Sequence, residues 1–341
     1  MCSSDLDKDN NIWIGFWNSK RLRKLKGADG SVLEKRDISV RPNGIAIDAD
    51  GRIWVSSRDP CQIAEVSPTS GELGTWSLPS GCPYGIAVDP FGKVWVASYE
   101  GQAVARFDPA QNKFTNSFSL APVESRGVAV KVIRDASGAA VGAKVYVADC
   151  GGGTRRYVGV VDAKTLKVEN KFDLGFQGCA VGLAVDSDGF LWTVNNVTSN
   201  ASKFDPDTGT VLGTYPVGTN PYTYSDMTGY AAKSITAPSG YYREVFTGWA
   251  EGETQWNQLF VAADLPGSGK TYARVRYRVA ESVEALKDQN WVGPFGPFPP
   301  QNFPLTLQVK GHVLEVEVSL HTDDPALIPE LKTLTVMAAQ K

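Results

Sequence analysis

Short runs in which apolar or small residues alternate with polar ones follow one another along most of this chain, each closed by Gly, Pro, Asp or Asn. A period of two marks strands with one buried face. From Gly44, GIAID is one such run and DADG a tight turn, its Asp accepting local backbone hydrogen bonds and its Gly supplying a positive φ. RIWVSS is the second run, with Trp54 as a large apolar anchor. The runs IAEVS and LGTWSLP then follow, separated by the turn PTSGE.

The pattern repeats. GIAIDADGRIWVSS from Gly44 returns as GIAVDPFGKVWVAS from Gly85 and as GLAVDSDGFLWTVN from Gly182. A looser copy from Gly127, GVAVKVIRDASGAAVGAKVYVAD, has a longer hairpin loop. Gly44 to Gly85 is 41 residues and Gly85 to Gly127 is 42, a period that fits four-stranded propeller blades. One such unit cannot bury its own faces, so copies stack around an axis and share a core. An all-β propeller is therefore expected over residues 7–236, with four complete blades and a partial blade at each end. DKDNNIWIGFW from Asp7 reads as the back half of one copy, and Tyr222 to Thr236 as the first hairpin of another. The two partial blades are candidates to complete each other, Asp7 onward giving outer strands and Tyr222 to Thr236 inner ones. Residues 1–6, MCSSDL, match no part of the repeat and resemble a translated adapter sequence. They are expected to lie outside the fold, and the propeller to be truncated at its N-terminal side.

Beyond Thr236 the repeat stops. YARVRYRVA and HVLEVEVSL alternate strictly, and REVFTGW, QWNQLFVAAD, FPLTLQV and TLTVMAA add further strands. They predict an antiparallel β-sandwich over residues 237–341, of jelly-roll or immunoglobulin-like type. Ser282 is placed to cap a short helical turn, and GPFGPFPP from Gly293 reads as a rigid loop. Trp249, Trp256 and Trp291 read either as a sugar-stacking platform or as core.

Composition narrows the function. The net charge is −3 and the longest basic run is RLRK from Arg21 to Lys24, which argues against a nucleic-acid partner. No apolar stretch approaches the ~20 residues of a membrane-spanning helix. Four of the five cysteines fall within the repeat. Cys61 and Cys150 follow the second strand of their blades, while Cys82 and Cys179 precede the next inner strand. In an up-and-down blade those two loops emerge on one face, which predicts disulfides Cys61–Cys82 and Cys150–Cys179. Disulfides imply a secreted, periplasmic or cell-surface protein.

PNGIAIDADGRIWV and PYGIAVDPFGKVWV resemble the propellers of the virginiamycin B lyase family and the related NHL-repeat proteins, over about Asp7 to Thr236. PNGIAIDADG also looks like the inner strand of a calcium-dependent lactonase. The lyase resemblance implies a general-base His in a late blade and acidic residues holding magnesium. Here the two histidines, His312 and His321, lie beyond the repeat, so the family's catalytic site is not carried over. Asp48, Asp50, Asp186 and Asp188 have the look of cation ligands, but the further oxygen ligands of a calcium loop do not follow, and a structural turn is expected.

The function expected is that of a secreted or cell-surface binding or scaffold protein without catalysis, cofactor or metal. Its contact surface would be the rim formed by the loops after strands two and four, at Asn43, Arg58, Tyr84, Tyr99, Arg126, Asn195, Asn196 and Tyr222. Those mixed polar and aromatic groups suit a peptide, glycan or cell-surface component. The alternative is a metal-dependent lyase or a calcium-dependent lactonase. Such an enzyme needs convergent oxygen ligands at the axis, where the inner strands place Ile, Ala, Val and Leu.

Overall fold

In the computed structural model the chain divides into two units, one holding residues 1–135 and 140–236 and the other residues 237–341. The structure describes residues 2–121, 124–134, 140–150, 157–174, 179–223, 227, 231, 240–249, 253–298, 303–322, 324 and 327–340. Both units are built from antiparallel sheets, and the first is a β-propeller.

Among the described residues, the first unit holds five four-stranded sheets. Their innermost strands are Cys2–Leu6, Gly44–Ile47, Pro83–Val88, Ser125–Arg134 and Ala180–Val185. Each sheet then runs outward through three consecutive strands, as in Gly44–Ile47, Ile53–Arg58, Cys61–Val66 and Glu72–Ser77. Inner strands of successive sheets lie side by side, which explains the glycine repeated within the first three residues of four of them. A Cβ on Gly127 would sit 2.7 Å from the Leu183 nitrogen, and one on Gly85 would run into the Arg126 carbonyl oxygen. Glycine is what lets the backbones approach.

The residues expected to be foreign to the fold are part of it. Cys2–Leu6 pairs with Ile12–Phe16 in register from Cys2 opposite Phe16 to Leu6 opposite Ile12. This strand is the inner strand of the first blade. Main-chain pairing needs no particular side chains, so a strand can form where the repeat's pattern is missing. The Asp5 carboxylate adds a bond of its own, accepting the Ile47 N–H of the next blade at 3.0 Å. The hairpin expected at the other end falls largely outside the described residues.

Each regular blade is pinned by one aspartate. Asp48 accepts the main-chain N–H groups of Asp50 and Arg52 on Oδ1 and the Trp54 indole N–H on Oδ2, the last at 2.9 Å. Asp89 binds Phe91, Lys93 and Trp95 in the same way, and Asp186 binds Asp188, Phe190 and Trp192. The turn reading of D-x-D-G is thus explained: the first carboxylate is spent on the turn and on the core tryptophan six residues later. Burial pushes the Asp48 and Asp89 carboxyls above the usual range despite these bonds. Burial acts on Asp186 too, but its bonds from Trp192 and Lys203 outweigh it and hold it low.

The described residues of the second unit form a sandwich of a four-stranded and a three-stranded sheet around one apolar core that includes Trp256, Leu259, Val275 and Val316. Ser282 accepts the Ala285 N–H at the start of a short 3-10 helix, Glu284–Asp288. The segment expected as a rigid loop is partly strand: Val292–Phe298 pairs along the edge of the larger sheet. Proline is tolerated on an edge, and Phe295 stacks on Tyr277 with ring centres 6.0 Å apart. The three tryptophans form no common platform. Trp256 is core and donates to the Gly311 carbonyl, Trp249 is half-exposed, and Trp291 lies under Arg243, Arg276 and Arg278.

Glu317 holds that arginine face together, accepting from Arg243 at 2.6 Å and from Arg276 at 2.6 and 2.9 Å. Burial pushes its carboxyl up, but the bonds and charges of Arg276 and Arg243 outweigh it and hold the group below its ordinary 4.5. A depressed carboxyl stabilises the fold above the unfolded value and loses that contribution as pH falls through the folded one. Glu317→Gln should therefore cost the sandwich about 1–2 kcal/mol at neutral pH, discounted for the half-exposed arginines. The cost should shrink as the medium is taken below pH 4.5. Urea titrations at neutral and acid pH check this; a pH-independent difference would refute the assignment.

Candidate functional site

Five of the eight expected rim residues meet at one place on the first unit. Arg58 ends the second strand of its blade, Tyr99 follows the equivalent strand of the next, and Tyr84 and Arg126 start inner strands. Up-and-down topology puts strand-two ends and strand-one starts at the same end of every blade, so these positions converge. Tyr222 reaches the cluster from the chain that follows the last sheet.

The Tyr84 and Tyr99 rings lie 5.5 Å apart, and both arginines pack on them. Arg126 sits 4.6 Å from the Tyr84 ring centre and 4.4 Å from that of Tyr99, and Arg58 sits 5.7 and 4.5 Å from the same centres. Such contacts hold a cation in place at about 0.5–2 kcal/mol each. Arg126 also donates to three phenol oxygens, Tyr84 at 2.6 Å, Tyr222 at 3.0 Å and Tyr99 at 3.1 Å. The Tyr84 and Tyr222 hydroxyls bond to each other. Arg58 is exposed, as is Tyr222 at 44%.

A disulfide braces this cluster from behind. Cys61 and Cys82 are bonded, as are Cys150 and Cys179, in the pairing expected. The Cys82 carbonyl accepts the Tyr99 N–H at 2.9 Å, and Cys61 lies three residues past Arg58. The bridge thus ties the loop bearing Arg58 to the strands bearing Tyr84 and Tyr99.

The three asparagines have other tasks. Asn43 is 2% exposed and donates from Nδ2 to the Tyr84 carbonyl, supporting the cluster from below. Asn195 is fully buried and donates to Asn200 and Ser202 within its own blade, so as a contact residue it is corrected to a structural one. Asn196 donates to the Pro221 carbonyl at 3.2 Å and anchors the chain that delivers Tyr222. Sequence reading passed over Ser56, whose hydroxyl also binds the Tyr84 carbonyl, and Arg41, which pairs with Asp59 at 2.8 Å. A serine inside a strand and an arginine before a proline carry no distinguishing signal.

The propeller axis is lined by the inner strands, chiefly Ile45, Ile47, Ile86, Val88, Val130 and Leu183, around a cavity of about 30 Å³. Among the described residues, Asp5 is the one carboxylate on that wall. Among the described residues no group of three or more His, Cys, Asp or Glu side chains is placed to hold a metal ion.

No protein-family model matches this sequence, and no curated protein does. Solved structures do share its fold. A streptogramin B lyase is similar with a TM-score of 0.52 and 14% identity, over 65% of this chain and 71% of that one. A catalytically inactive histidine-to-alanine variant of virginiamycin B lyase from Staphylococcus aureus, with quinupristin, gives 0.52 and 14% over 65% and 72%. A gluconolactonase from Xanthomonas campestris gives 0.50 and 17% over 65% and 78%. At such identities the likeness shows the propeller fold alone.

Proposed function

We propose that the first unit is a non-catalytic binding module of an exported or cell-surface protein, and that its ligand, a peptide or glycan, docks at the Arg58–Tyr99–Arg126–Tyr222 cluster. The observation that carries the reading is the convergence of these side chains from separate blades onto a disulfide-braced rim. Arginine and tyrosine are the side chains on which binding energy concentrates, and here they are held in position before any ligand arrives. The two disulfides support export to an oxidising compartment.

The alternative, a metal-dependent lyase or calcium-dependent lactonase, draws on the shared fold. Against it stand the aliphatic axis and the sequence itself: no histidine precedes His312, whereas losing a histidine inactivates the lyase relative. A glycan and peptide array probed with the full chain tests the proposal. Hits should appear, and Arg58→Ala or Tyr222→Ala should weaken them at least about tenfold. Hits indifferent to both variants, or stoichiometric heat on titration with calcium or magnesium, would reject it.

A further inference from the structure

We infer that the second unit has a vacant strand position at one side of its sandwich, and that it binds a single extended segment of a partner polypeptide there. The two sheets are unequal. Gly240–Thr247, Val313–Thr322, Thr271–Ala280 and Val292–Phe298 form one, and Phe303–Lys310, Thr254–Asp264 and Glu330–Gln340 form the other. Phe298 stacks on Phe303 with ring centres 4.0 Å apart, which sets Val292–Phe298 over Phe303–Lys310. Counting strands from that side leaves Gly240–Thr247 with none opposite. An open cleft of about 540 Å³ lies there, bounded by Phe246, Trp249, Trp256, Val336, Met337 and Ala338.

Side-chain burial agrees with a vacancy. Register turns Phe246 and Glu244 to the same face as the core residues Leu314 and Val316, and Val336 and Ala338 to that of Leu259 and Trp256. Yet Phe246, Val336 and Ala338 are only partly buried, and Trp249 and Met337 are 39% and 53% exposed. A strand laid beside Glu330–Gln340 would cover the inward-facing ones with every second side chain.

The edge itself is unguarded. Glu330–Gln340 pairs with Thr254–Asp264 along one side and, among the described residues, with nothing along the other. An open edge accepts a further strand unless proline, charge or a bulge blocks it. Val292–Phe298 carries Pro294 and Pro297, Phe303–Lys310 carries Pro304 and a left-handed Gln308, and Gly240–Thr247 carries Arg243 and Glu244. From Thr333 to Gln340 there is no charge, proline or glycine.

Width and charge select the occupant. With Gly240–Thr247 as its roof the slot admits one strand, whereas the edge of a second copy would drive its own facing sheet into that roof. Around the slot Glu330 pairs with Lys332, Glu253 with Lys310, and Arg243 turns to the outer face and Glu317. Glu251 and Lys341 lie outside the described residues. Glu244 faces the slot, where it accepts the Tyr242 hydroxyl and, among the described residues, pairs with no cation. The fitting segment therefore alternates apolar and polar residues and carries a lysine or arginine near one end.

Calorimetry on the full chain tests this with peptides of about ten residues, valine alternating with threonine and one lysine at either end, beside a lysine-free control. At least one lysine peptide should bind, and a central proline should weaken it at least about tenfold. Trp249→Ala should weaken it about as much, and Glu244→Gln should weaken the lysine peptides alone, by about two- to fivefold. Hydrogen exchange separates strand addition from loose apolar adsorption: outward amides between Thr333 and Gln340 should exchange freely in the free chain and slow when the peptide binds. No peptide binding, binding indifferent to the proline, or binding without that protection would overturn the inference. Amides already protected in the dilute free chain would show that the chain fills the slot itself, and protection that grows with protein concentration alone would assign it to a second copy. Either result rejects a separate partner.

Discussion

Trp54→Ala should destabilise the propeller unit by about 3–5 kcal/mol, the range for emptying a large aromatic site in a core. Trp54 is fully buried, packs against Phe107 at 5.6 Å and Trp76 at 6.2 Å, and touches the next blade through the former. The change also strips the Asp48 carboxylate of its indole donor. That loss has a sign. The Asp48 carboxyl is already held above its ordinary 3.8 by burial, and without the donor it rises further. A buried acid with a raised folded pKa destabilises the charged form, so folding is penalised once pH exceeds the unfolded value and spared below it. The deficit of the alanine variant should therefore be larger at neutral pH than near pH 4. Trp54→Phe separates the two contributions: it keeps most of the packing and should cost about 1–3 kcal/mol for the orphaned carboxylate. Urea unfolding followed by circular dichroism measures all three proteins. A loss below about 1 kcal/mol for the alanine variant would mean that the clamp does not hold the blade.

The clamp and the rim differ in how readable they were. The blade is a local phrase: glycine, alternating apolar residues, an Asp-led turn and a tryptophan lie within one short stretch, so the fold shows in the sequence. The cysteine pairing was legible too, because strand parity alone fixes the rim on which each loop emerges. The Asp–Trp bond was written in the constant spacing of Asp48 to Trp54, Asp89 to Trp95 and Asp186 to Trp192, but alternation draws attention to apolar positions and not to the acid. Cys2–Leu6 could not be read, since its pairing is a main-chain event and Ser3, Ser4 and Asp5 have little strand preference. At the rim, loop position grouped Arg58, Tyr84, Tyr99, Arg126 and Tyr222, which the structure brings into mutual contact. It could not separate them from Asn43 and Asn195, because whether an asparagine faces solvent or a buried partner depends on neighbours distant in sequence. Val292–Phe298 failed for a related reason: Gly and Pro read as loop unless one knows that the strand lies on an edge and that Phe295 has a core to enter.

The two disulfides should contribute comparably to stability and unequally to binding. They close segments of 21 and 29 residues, and restricting the unfolded chain over such lengths is worth about 3 kcal/mol each. Against a typical total of about 5–15 kcal/mol, removing both should leave the propeller unit largely unfolded at 37 °C, while either double variant alone, Cys61→Ser with Cys82→Ser or Cys150→Ser with Cys179→Ser, should fold with a lowered urea midpoint. Binding discriminates between them. Cys61–Cys82 braces the loop of Arg58 against the strands of Tyr84 and Tyr99, so its loss frees two of the stacked groups and lets the ligand bear the cost of ordering them. Cys150–Cys179 sits two blades on, where the Cys179 carbonyl accepts the Asn196 N–H, and reaches the cluster only through the chain leading to Tyr222. At temperatures where both variants remain folded, rim-dependent affinity should drop markedly in the first and little in the second. Equal losses in the two would show that the bridges act on binding through global stability alone. An unchanged urea midpoint in both would remove the physical support for the proposed oxidising compartment.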